Sequence, residues 1–164
     1  MVRLEKLTLV HAPVQRCFDL ARSMEVHLAG NVHSGESAVA ITGGVTSGLI
    51  GMAQRVTWRA KHFWGWHKLT SEITAMDQPT YFQDTMIQGV FQFMQHDHFV
   101  RPLSRDTTEM KDVFRFAAPL PLVGRLAEMA FLRRYIRALL RERNAVLKDI
   151  AESPEWHEYL PVKT

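Results

Sequence analysis

The chain has 164 residues, 46% hydrophobic and 23% charged, with a net charge of +3 and a pI near 9.2. These values fit a single globular domain over 1–164, too weakly basic to imply nucleic acid. No apolar run approaches the roughly 20 residues of a membrane span, the opening Met1-Val2-Arg3-Leu4-Glu5-Lys6 holds no signal-peptide core, and the lone Cys17 cannot pair internally, so a reducing cytoplasm is the expected location.

Leu4–Val10 reads as a strand. His11-Ala12-Pro13 then opens a helix, with proline suited to the first helical turn. Val14, Cys17, Phe18 and Ala21 recur at helical spacing, which makes Cys17 a buried small hydrophobe. Ser23–Gly35 is ambiguous: a second short helix ending near Gly30, then a loop. Ala38–Thr42 reads as a short strand, and the Gly43-Gly44 and Ser47-Gly48 pairs mark turns. Met52–Lys61 and Lys68–Met76 are strands joined through Phe63-Trp64-Gly65-Trp66. Tyr81–Ile87 and Val90–Leu103 follow, joined at Gln88-Gly89, and then Thr107–Phe116 after the break Ser104-Arg105-Asp106.

From Pro119-Leu120-Pro121 onward one helical pattern covers about 121–152. Leu122, Leu126, Met129, Leu132, Ile136, Leu139, Leu140, Leu147 and Ile150 form its apolar stripe. At ~1.5 Å per residue it is roughly 45 Å long, enough to cross a whole sheet. The expected architecture is α+β: about seven antiparallel strands curved around a long C-terminal helix, with two short helices after the first strand.

This order of elements resembles the START-like or polyketide-cyclase-like (SRPBCC) superfamily, whose fold is called a helix grip. The segments Gly48-Leu49-Ile50-Gly51, Val56-Thr57-Trp58-Arg59-Ala60-Lys61-His62-Phe63, Pro79-Thr80-Tyr81-Phe82-Gln83-Asp84, Gly89-Val90-Phe91, His96-Asp97-His98 and Thr108-x-Met110-x-Asp112 look like a bacterial branch of it. The similarity covers roughly residues 2–152. It implies a cavity between sheet and helix, no cofactor and a hydrophobic or amphipathic small-molecule partner. It does not imply a reaction, since the superfamily includes lipid carriers, hormone receptors and aromatic cyclases.

Strand alternation assigns the faces. In Thr107–Phe116 the odd positions Glu109, Lys111, Val113 and Arg115 make a mostly charged face, while Met110, Asp112, Phe114 and Phe116 point inward. Pairing adds Met94, His96 and His98 to the inner side. A hairpin of odd loop length at Gln88-Gly89 adds Phe82, Asp84 and Met86; a two-residue loop would instead turn Tyr81, Gln83 and Thr85 inward. Trp58 is the inward aromatic of the earlier strands, and Met129 and Ile136 face the sheet from the helix. These residues form a wall of apolar surface with a few convergent polar groups, the usual make-up of a small-molecule site.

His96, His98 and Asp112 invite three readings. They can hydrogen-bond one another as a buried polar network. They can serve as acid–base groups of a cyclase or dehydratase. With Asp112 or Asp84 as carboxylate, the two imidazoles can also share a metal ion; the absence of a further ligand motif makes that the less expected reading. Arg133, Arg134, Arg137 and Arg141 form a basic stripe that reads as a solvated helix face. His11, His27, His33, His62, His67 and His157 show no ligand spacing. A third functional class is an interaction module with a vestigial cavity.

Overall fold

The computed structural model describes residues 1–32, 44–62, 65–117 and 125–160. Among them, six strands form one antiparallel sheet: β1 (Val2–Val10), β2 (Arg55–His62), β3 (Gly65–Asp77), β4 (Tyr81–Gln88), β5 (Phe93–Ser104) and β6 (Thr107–Ala117), in the order β1-β6-β5-β4-β3-β2. Two short helices, α1 (Val14–Ala21) and α2 (Met24–Val32), follow β1; α3 (Arg125–Glu152) closes the sheet and α4 (Trp156–Tyr159) ends the chain. The expected strand Ala38–Thr42, the Pro119-Leu120-Pro121 opening and Phe63-Trp64 lie outside the described residues.

The hairpin between β4 and β5 differs from the sequence reading. The strand expected from Val90 begins at Phe93, and Val90, Phe91 and Gln92 belong to the turn. Phe82 pairs with His98 and Asp84 with His96. Each pair is centred on residue 90, so the loop is odd in length and Phe82 and Asp84 share the histidines' face. The β5–β6 register sets His98 against Asp112 and Met94 against Phe116, as alternation requires.

Helix α3 runs about 42 Å and buries Ile136, Leu140, Asn144, Leu147, Ile150 and Ala151. These steps of four and three keep one stripe against the sheet. Arg133, Arg134, Arg137 and Arg141 are exposed on the opposite side. Pro13 is the N-cap of α1, and Cys17 is fully buried. Helix α2 comes close to α3 at Gly30, where a Cβ would lie 3.4 Å from the Arg143 Cα. Glycine there lets the two backbones approach and fixes Arg143 against α2.

The inner face is divided. One apolar cluster gathers Phe18, Met24, Val56, Phe82, Met110 and Leu147. A second gathers Val2, Leu4, Met94, Phe116, Ile136 and Leu140. Between them runs a polar layer drawn from both sheet and helix. Asp112 lies between Met110 and Phe114 on β6, His96 and His98 between Met94 and Val100 on β5, and Asn144 between Leu140 and Leu147 on α3.

Candidate functional site

Strand pairing brings the polar layer together. His96 Nε2 and His98 Nδ1 both approach Asp112 Oδ1, at 2.9 and 3.0 Å. His98 Nε2 lies 3.2 Å from Asp84 Oδ2, and His96 Nδ1 is 3.8 Å from the same oxygen. From α3, Asn144 Nδ2 donates to Asp112 Oδ2 at 2.6 Å and to Thr8 Oγ1 at 3.1 Å. The imidazole rings sit 3.8 Å apart, and His98 stacks on Phe82 at 4.1 Å. Among the described residues no buried side-chain polar atom lacks a partner, as a stable buried network requires.

The geometry fixes the charges. His98 faces a carboxylate oxygen with each ring nitrogen. A neutral ring would turn one lone pair onto an anionic oxygen, so the imidazolium fits best. Burial pushes the His98 pKa down, but its bonds to Asp112 and Asp84 outweigh this and leave it raised. Burial and then the charge of His98 lower the pKa of His96, and its bond to Asp112 offsets them only in part. Burial opposes ionisation of Asp112, yet the His96 and His98 bonds hold it well below the usual carboxylate range. Asp84 is also lowered, against burial, by the His98 bond and by the charges of His96, His98 and Arg143. Two carboxylates against one imidazolium leave one negative charge, and the Arg143 guanidinium stands nearby.

A hollow adjoins this layer on the side of the first apolar cluster. Met24, Ile50, Val56, Trp58, Ile73 and Phe82 supply its apolar wall, and Ser71, His27, Asp84 and Arg143 its polar one. Its volume is about 60 Å³, room for a few waters at ~10–15 Å³ each. The Gly48–Ile50 segment holds one rim: Met24 N donates to Gly48 O and Ile50 N to Arg22 O, both at 3.0 Å. Arg143 donates one N–H to Ala21 O at 3.3 Å.

The expected wall residues therefore fall in two places. Trp58, Phe82 and Asp84 line the hollow. His96, His98 and Asp112 lie behind Phe82 and Asp84, each under 5% exposed. Met110 packs in the first cluster, while Met86, Met94, Phe114 and Ile136 belong to the second, away from the hollow. The side chain of Met129 is outside the described residues.

Three residues were missed by the sequence reading. His27, which shows no ligand spacing in the sequence, stacks its ring on Trp58 at 3.9 Å in the hollow wall. Burial, then the charges of Arg143, His98 and His96, keep its pKa well below the ordinary value. Asn144 fills the gap in the apolar stripe between Leu140 and Leu147, a visible sign of a polar partner inside. Arg143 gave no signal apart from the many other arginines of α3. Asp97, between the two histidines, faces away from them: its carboxylate accepts from Tyr81 and Gln83 at 2.7 Å and pairs with Arg115.

No protein-family model matches the chain, and no curated protein matches it. Solved structures do. A START superfamily protein from Mycobacterium smegmatis is similar over 92% of this chain and 97% of its own, at 14% identity and a TM-score of 0.68. The di-domain ARO/CYC BexL from the BE-7585A biosynthetic pathway is similar over 91% of this chain and 46% of its own, at 19% identity and a TM-score of 0.61. The major latex-like protein 151 of Panax ginseng is similar over 88% of this chain and 95% of its own, at 11% identity and a TM-score of 0.59. At such identities the likeness is one of fold: the chain has the START-like helix-grip fold.

Proposed function

We propose that this helix-grip chain binds a small hydrophobic or amphipathic molecule in the hollow between the sheet, α2 and α3. The observation that carries the proposal is the two-sided make-up of the hollow: Trp58, Phe82 and Ile73 on the apolar side, Asp84 and Arg143 on the polar one. A ligand with a compact apolar body would displace water from the first side. Its polar head would accept from Arg143 and donate to Asp84. The size of the hollow favours a compact ligand over a long acyl chain. The neighbours named above lend the reading the precedent of their fold alone.

Two features favour binding over the alternatives. A cyclase or dehydratase built on His96 and His98 would need those imidazoles at the open wall, and each is 3% exposed behind Phe82 and Asp84. An interaction module would need a continuous apolar patch. The exposed Leu7, Leu9 and Phe99 of the outer face are broken up by Lys111, which pairs with both Leu7 and Phe99, and by Glu109, which pairs with Leu9.

Native mass spectrometry of the freshly purified chain tests this reading. A small organic adduct, lost in a Ser71→Leu variant that fills the hollow, is the expected result. A bare wild-type mass, together with no rise in Tm from short-chain alkanoates or phenols, would count against it.

A further inference from the structure

We propose that Asp84, His96 and His98 form a binding site for a divalent first-row transition ion of the zinc or iron(II) class. One carboxylate oxygen and one nitrogen from each ring lie within 4.8 Å of one another. The donors that converge are Asp84 Oδ2, His96 Nδ1 and His98 Nε2, with the nitrogens 3.8 and 3.2 Å from the oxygen. Ligands about 2.0–2.2 Å from a common ion sit at such separations from one another.

The second observation is independent of these three atoms. The opposite nitrogens, His96 Nε2 and His98 Nδ1, both reach one oxygen, Asp112 Oδ1, at 2.9 and 3.0 Å. A metal-bound histidine typically donates its other N–H to a carboxylate, which fixes the tautomer and turns the remaining lone pair to the ion. Here one carboxylate does this for two rings. Asp112 is itself held by Asn144, which reaches Thr8 as well. Each ring thus keeps one nitrogen on Asp112 and turns the other toward Asp84 Oδ2.

Chemistry and charge agree. Two imidazoles and a carboxylate suit zinc, iron and nickel, and exclude calcium and magnesium, which take oxygen ligands. When an ion takes the place of the proton on His98 Nε2, the two carboxylates and two neutral rings carry −2, which the divalent charge cancels. Asp84 also lines the hollow, which gives the ion a route in and gives a bound ion access to water or a ligand at the coordination positions the protein leaves open. The site stands on the histidine geometry and does not require an organic ligand in the hollow.

The test uses the full chain, stripped with a chelator and titrated with Co2+, whose d–d bands report coordination by nitrogen and oxygen. The expected result is one equivalent of Co2+ per chain, displaced by Zn2+. Asp84→Asn and His98→Gln should each weaken Co2+ binding at least tenfold, and Asp112→Asn by about 10–100-fold, whereas the exposed His157→Ala leaves it unchanged. Far-UV circular dichroism checks each fold. Should His98→Gln unfold, Asp84→Asn decides alone, because the amide keeps the shape of the hollow wall. A folded wild-type chain that takes up no Co2+, or an Asp84→Asn chain that binds it as tightly as wild type, would overturn the proposal. Neither outcome alters the adduct expected in native mass spectrometry, so the two readings fail separately.

Discussion

Asn144, in the middle of α3, donates to Asp112 of β6 at 2.6 Å, a contact spanning 32 residues of sequence. It ties the long helix to the sheet through a buried charge, midway between the two apolar clusters. A hydrogen bond to a charged group contributes about 1.5–3 kcal/mol. Asn144→Ala should therefore lower the unfolding free energy by roughly that amount in urea titration, with little change in m-value. A loss below ~0.5 kcal/mol would mean that water replaces the amide without cost.

Leu140 packs beside it in the second cluster at 6% exposure. Leu140→Ala should cost roughly 2–5 kcal/mol, as buried leucine truncations do. Arg137→Ala, on the exposed side of the same helix, should change stability by less than about 0.5 kcal/mol. Equal effects at the two positions would contradict the stripe.

Asp84 and Asp97 lie on opposite faces of the sheet and should behave differently. Asp97→Asn weakens the pairing with Arg115, Tyr81 and Gln83 and should lower Tm while leaving any adduct in the hollow in place. Asp84→Asn should reduce adduct occupancy with a smaller change in Tm. Parallel melting curves and native mass spectra of the two variants check this. The reverse pattern would place the site on the outer face.

Burial raises the Cys17 thiol to about 11 from an ordinary 9.0, and the hydrogen bond with Thr108 offsets only part of that rise. An acid whose folded pKa is raised gives stability that is complete below the unfolded pKa and lost as pH climbs through the folded one. Cys17 should thus contribute to alkaline destabilisation between about pH 9 and 11, and Cys17→Ala should flatten the fall in stability across that window. Denaturation midpoints at pH 8 to 11 would show it. Identical pH profiles for the two proteins would argue against thiol burial. The native thiol should also resist alkylation at neutral pH.

Much of this arrangement is legible without coordinates. The charged and apolar faces of β6 follow from the alternation of Glu109, Lys111 and Arg115 with Met110, Phe114 and Phe116. That alternation alone places His96, His98 and Asp112 on one side. Asp84 depends on a turn, and the turn chemistry at Gln88-Gly89 admits both odd and even loops. The even possibility is removed only by the register centred on residue 90. The division into two apolar clusters is not legible, because Leu140 and Leu147 read as one stripe until Asn144 is seen bonded to Asp112. His27 escaped because α2 lacks a clear amphipathic pattern, so its inward face had no signature. Arg143 differs from its neighbours only in facing α2 across the close approach at Gly30.

The location of binding is the central claim, and methyl NMR tests it most directly. Met24, Ile50 and Ile73 border the hollow, whereas Met94 and Ile136 sit in the second cluster. On titration with a short-chain alkanoate or a phenol, the account predicts saturable shifts at the first three methyl groups and small or no shifts at the last two. Shifts confined to Met94 and Ile136, or none at any methyl up to the solubility limit, would contradict it.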